Sequence, residues 1–111
     1  MKLTTEFLPV RWRTDIVALR SNGELLAFEA KLKRWRYALH QAYRNTSFVD
    51  RSYMLLPEQV ALYAMRFTHE ISRHSVGLCY ISNGQIVIAH EAPYQRPVQP
   101  WLSREATTLL I

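Results

Sequence analysis

The stretch TDIVALRSNGELLAFEAK, residues 14–31, constrains this chain more than any other. Two apolar runs flank a Ser-Asn-Gly turn signal, the pattern of a β-hairpin. Residues two apart on a strand share a face. Leu25, Ala27, Glu29 and Lys31 therefore fall on one side, and Leu26, Phe28, Ala30 and Leu32 on the other. The second strand is apolar on both sides until its last residues, as expected of a central strand covered on both faces. Charges leaving such a strand are costly unless paired, solvated or metal-bound.

Loop length decides what this hairpin can do. A two-residue Asn22-Gly23 turn pairs Ala30 with Asp15 and leaves Asp15 and Glu29 on opposite faces. A three-residue loop, Asn22-Gly23-Glu24, pairs Asp15 with Lys31 and gathers Asp15, Glu29 and Lys31 on one face. Two carboxylates on neighbouring strands can hold a hard divalent cation with help from a backbone carbonyl. A lysine beside them can orient water and balance charge that develops on phosphorus. An isolated acid-x-Lys triplet is common at solvated strand ends, because charged residues are normally exposed. Its position after an acid-bearing strand gives it more weight here.

With the following RWRYALHQAYRNTSFVDRSYMLLP, the hairpin resembles the core of the PD-(D/E)xK nuclease superfamily, the restriction-endonuclease-like domain. That core has an acid opening one strand, an acid-x-Lys on the next, a helix often carrying Gln, and another strand. Asp15 matches the first acid, Glu29 and Lys31 the second element, and Gln41 the helix residue; Thr14 stands where Pro is usual. The resemblance implies an α/β fold, a mixed β-sheet with flanking helices. It also implies Mg²⁺-dependent hydrolysis of DNA phosphodiester bonds, with Mn²⁺ as a substitute. Asp15, Glu29 and the backbone carbonyl of Ala30 would hold the metal. Lys31 would activate water or stabilise charge, and Gln41 would assist. Catalytically silent copies also exist in this superfamily, so a nuclease-like binding module, a subunit or inhibitor of phage or mobile-element origin, is the alternative. A small RNA-binding or structural protein with a coincidental trio is a third.

The superfamily core opens with a helix before the first acid, whereas MKLTTEFLPV reads as a strand with alternating Leu3, Thr5 and Phe7. Apolar strand faces without that helix need cover from the C-terminal tail or a second copy, and a homodimer is expected.

Charge supports a polyanionic partner. The net charge is +5, and residues 1–51 hold ten Lys and Arg against five acids while residues 52–111 hold four against four. Eleven of the fourteen basic residues are Arg, whose planar fork suits phosphate. Arg13, Lys33, Arg34, Arg36 and Arg44, with Tyr37 to stack, are the candidate nucleic-acid contacts, DNA more than RNA. The lone Cys79 cannot form an internal disulfide and fits a reducing compartment. No apolar run reaches membrane-spanning length and no leader pattern opens the chain, so a cytoplasmic protein without a membrane partner is expected.

Downstream, residues 33–46 read as a helix with Trp35, Ala38, Leu39 and Ala42 as its buried stripe. A turn at Asp50 and a strand over 51–56 follow. Pro57 opens a second helix to about residue 73, packed through Val60, Ala64, Phe67 and Ile71. Residues 76–81 and 86–90 form a hairpin around Asn83-Gly84. His40 reads as a surface or hydrogen-bonded structural histidine, and His69 and His74 lack the Cys partners of a structural zinc site. Residues 1–92 form one nuclease-like domain, and 93–111 a Pro-rich tail ending in a short helix that Ser103 caps and Trp101 docks.

Overall fold

The computed structural model describes residues 2–4, 16–96, 104 and 107. Asp15, Arg13, Trp101 and Ser103 lie outside the described residues. A six-stranded mixed sheet runs in chain order: β1 (Lys2–Thr4), β2 (Ile16–Leu19), β3 (Leu25–Ala30), β4 (Arg51–Leu56), β5 (Gly77–Ser82) and β6 (Gln85–His90). The first three strands are an antiparallel meander. Helix α1 (Trp35–Asn45) links β3 to the parallel β4. Helices α2 (Glu58–Ala64) and α3 (Thr68–Arg73) link β4 to the parallel β5, and β6 returns antiparallel.

The β2–β3 hairpin has an odd-length loop, but one residue earlier than Asn22-Gly23-Glu24. Ile16 faces Phe28 and Leu19 faces Leu25. Arg20 N–H donates to the Glu24 carbonyl at 2.8 Å and Gly23 N–H to the Arg20 carbonyl at 2.9 Å, so the loop is Ser21-Asn22-Gly23. Gly23 takes φ +90°, the left-handed position of a three-residue hairpin loop, where a side chain would be strained. Glu24 therefore belongs to the ladder rather than the turn, and its carboxylate meets Arg20 at 3.3 Å and Arg51 at 3.1 Å. The hydrogen bond from Arg51 holds the Glu24 carboxyl below the ordinary carboxylate range. Parity is the consequence that matters: Val17 lies on the same side of the sheet as Leu25, Ala27 and Glu29.

That side is the helical one. Trp35, Ala38, Leu39 and Ala42 of α1 pack with Met54, Leu56 and Leu78 of the sheet and with Ala61, Ala64 and Ile71 of the following helices. Phe48 and Val49, between α1 and β4, close over Val17, Leu25 and Ala27. Ser52 Oγ donates to the Ala42 carbonyl at 2.6 Å, tying β4 to the helix.

The opposite face buries Ala18, Leu26, Phe28, Tyr53, Leu55, Cys79 and Ala92. Phe28 and Tyr53 stack with centroids 5.4 Å apart. Residues 91–96 fold back beneath β4: Tyr53 Oη donates to the Glu91 carboxylate, Arg51 Nη1 donates to the Ala92 carbonyl at 2.6 Å, and Gln95 N–H donates to the Asp50 carbonyl. Burial, reinforced by Glu91, pushes the Cys79 thiol up to about 12, so it stays a protonated core residue.

Two helices differ from the sequence reading. The first helix starts at Trp35, leaving Lys33 and Arg34 in the connection before it. Arg34 sits at φ 57°, and its carbonyl accepts the first helical bond from Tyr37 N–H. The second helix is broken by a 3₁₀ turn, Met65–Phe67, between α2 and α3. A 3₁₀ turn advances fewer residues per turn than an α-helix, so the buried positions become Ala61, Ala64 and Ile71, while Val60 and Phe67 are only partly covered.

Candidate active site

Two polar residues interrupt the apolar layer between β3 and α1. Glu29, on the fifth residue of β3, is 1% exposed, and Asn45, the last residue of α1, is fully buried. Asn45 Nδ2 donates to Glu29 Oε1 at 2.9 Å. A buried carboxylate is tolerable only with such donors, because burying an unpaired charge costs far more than the hydrogen bond returns.

Lys31 stands just past the end of β3, partly buried, with its backbone N–H donating to the Leu55 carbonyl at 3.2 Å. Its Nζ lies 5.0 Å from the centroid of the Tyr37 ring, within the range of cation–π attraction. Gln41, partly buried, lies one helical turn from Tyr37 and one turn from Asn45. Tyr37, Gln41 and Asn45 thus form one ridge of α1, whose two ends touch Lys31 and Glu29. Ala30 closes β3 opposite Leu55. The structure brings together Glu29, Lys31 and the helix that carries Gln41.

The basic residues divide. Lys33 and Arg34 face solvent before the start of α1, and Arg44 faces solvent in its last turn. Arg36 is also exposed, but its Nε and Nη2 make two bonds to Glu70 of α3, at 2.9 and 3.0 Å. Its guanidinium also lies over Trp35 and Phe67, 4.4 and 4.8 Å from their centroids. This fork-to-carboxylate pair raises the Arg36 pKa and lowers that of Glu70. Arg36 is therefore a tie between α1 and α3, a role its place in the basic run did not suggest.

Among the other readings, Asp50 is a structural acid: its Oδ2 accepts from Leu25 N–H at 2.7 Å. The rings of His40 and Tyr43 meet His74 edge-on, and His74 Nδ1 lies 2.9 Å from the Glu70 carbonyl. Among the described residues no group of three or more His, Cys, Asp or Glu is placed to hold a metal, and no helix is long and apolar enough to cross a membrane.

Fold and site together describe a mixed α/β sheet protein with a buried acid and a lysine at the carboxyl end of a central strand. No family model matches the chain, and no curated protein matches it. Among solved structures, the chain is similar to SPO1766, a protein of unknown function from Silicibacter pomeroyi, with a TM-score of 0.69 and 23% identity over 97% of this chain and 70% of that one. At this identity the likeness concerns the fold alone.

Proposed function

We propose that this protein is a metal-dependent nuclease of the PD-(D/E)xK type, hydrolysing phosphodiester bonds in DNA with weak sequence preference or with preference for substrate shape. The observation that carries the reading is the buried Glu29 two residues before Lys31 on the helix-covered face of β3, with α1 touching both. From β2 onward the order strand, strand, helix, strand is the order the superfamily resemblance implies, although the chain has the strand β1 before it.

The donors fit a hard cation in kind. The Glu29 carboxylate and the Ala30 carbonyl are oxygen ligands of the sort Mg²⁺ or Mn²⁺ takes, and Asp15 would supply a further carboxylate. When bound, the metal would polarise a phosphoryl oxygen and acidify a water. The chain's own residues do the rest. Lys31 presents a cation to the charge that gathers on phosphorus. Gln41 offers an amide to a phosphate or water between Lys31 and Glu29. Lys33, Arg34 and Arg44 hold the phosphate backbone without reading bases. A homodimer would set two such sites on one duplex or junction.

One observation favours a second reading, the catalytically silent nuclease-like module. Glu29 is almost closed to solvent. Cleavage of labelled linear, flapped and branched DNA separates the two. Activity that needs Mg²⁺ or Mn²⁺ and disappears in Glu29→Gln supports the nuclease; DNA binding without turnover in either protein supports the silent module.

A further inference from the structure

Resting on the nuclease reading, we infer that Asn45 and Tyr37 are positioning residues that hold Glu29 and Lys31, respectively, in their working orientations. Each makes a specific polar contact with one of the pair: the Asn45 amide on Glu29 Oε1 at 2.9 Å, and the Tyr37 ring face 5.0 Å from Lys31 Nζ.

Packing does not account for either residue. The buried stripe of α1 runs Trp35, Ala38, Ala42, Asn45, and an apolar side chain at its end would bury without the cost of a desolvated amide. An amide there repays that cost only through what it bonds. Tyr37 is 53% exposed, so its ring is not part of the core. It stands where Lys31 leaves the sheet.

The geometry explains why one helix can serve both. Glu29 and Lys31 are two residues apart at the end of β3, about 7 Å if the chain stays extended. Tyr37 and Asn45 are separated by about 12 Å along α1, eight residues of helix. Asn45 reaches inward at one end of the ridge and Tyr37 lies at the surface at the other, with Gln41 between them. A fixed amide on one oxygen of a carboxylate sets the orientation of the whole group. An ammonium held over a ring has fewer rotamers to search before it meets a phosphate. The strand supplies the chemistry and the helix supplies its alignment.

The experiment measures Mg²⁺ and Mn²⁺ binding calorimetrically on the full chain without DNA, and then cleavage of branched DNA at saturating metal. It compares the wild type with Asn45→Leu, Tyr37→Leu and Tyr37→Phe, each checked for folding by circular dichroism. Asn45→Leu is expected to weaken metal binding about 10- to 100-fold, the usual effect of losing a partner behind a metal ligand. Tyr37→Leu is expected to lower kcat several-fold with metal affinity kept, and Tyr37→Phe, which keeps the ring, to restore it. A merely structural role would shift melting and leave these quantities alone. Should Asn45→Leu not fold, the half-exposed Tyr37 pair still decides: equal kcat in Tyr37→Leu and wild type overturns the alignment role. Wild-type metal binding and cleavage with unaltered variants would overturn this inference and leave the nuclease reading intact. A wild type that neither binds metal nor cleaves would overturn both.

Discussion

At the scale of single residues, the fold depends on a few positions that leave no room for substitution. A Cβ on Gly77 would lie 2.6 Å from the Ala92 nitrogen, the His90 carbonyl oxygen and Tyr53 Cδ1. Two of these are backbone atoms that cannot swing aside. Gly77→Ala is expected to cost about 1–3 kcal/mol, the range for overpacked cores, read as a lowered urea midpoint. An unchanged midpoint would mean that residues 91–96 move freely against β5. Glu24 gives a prediction with a pH sign. Its folded pKa is depressed, chiefly by Arg51, so its contribution is present above the unshifted value of 4.5 and is lost as pH falls through the lowered folded value. Glu24→Gln should therefore flatten the acid limb of stability against pH, removing about 1 kcal/mol or less for such a partly exposed pair. Equal acid limbs in the two proteins would deny Glu24 that role. Asn45 was partly legible in the sequence. The helical stripe through Trp35, Ala38 and Ala42 continues to position 45, and an amide on a buried stripe needs a partner. The sequence could not show that Glu29 is that partner, because the match joins a strand end to a helix end.

At the scale of elements, the two-residue period of β3 and the Asn83-Gly84 turn were legible, because alternation and turn chemistry are local. Burial on both faces of β3 followed from its composition, and Leu25 through Glu29 are buried. The register of the first hairpin was not legible: the sequence left an even and an odd loop open, and only the nuclease resemblance required the odd one. Asn22-Gly23 fits both a two-residue turn and the last two places of a three-residue loop, and the ion pair of Glu24 with Arg51 draws Glu24 into the ladder. The broken second helix was hidden because residues 58–73 keep an apolar rhythm through the 3₁₀ turn. The basic run around α1 illustrates the same limit, since charge is visible in sequence while pairing is not. Lys33→Ala with Arg34→Ala is therefore expected to weaken DNA binding and reduce its salt dependence. Arg36→Ala should instead loosen α3 against α1 and lower the melting temperature, with a smaller effect on affinity. Filter binding across a salt series and thermal denaturation separate the two; the opposite pattern would return Arg36 to the DNA-binding surface.

At the scale of the whole molecule, the helices cover one face of the sheet and leave apolar side chains elsewhere at the surface. Leu32 and Ile81 border an apolar cleft of about 290 Å³ with Ala30, Leu55 and Pro57, at the carboxyl ends of β3, β4 and β5. Leu32 is 79% exposed and Ile81 55%. The expected homodimer is tested by sedimentation at micromolar concentration, where a monomeric chain would contradict it and require each site to act alone. The central claim concerns Glu29 and Lys31, and it is met most directly by a single-turnover assay of branched DNA in Mg²⁺, with DNA affinity measured in parallel. Glu29→Gln and Lys31→Met are expected to lose cleavage by at least 10²-fold, in line with removing a charge-stabilising group, while affinity stays within a few-fold. Cleavage that survives both substitutions, or a wild type that binds DNA and never cuts it, would contradict the account.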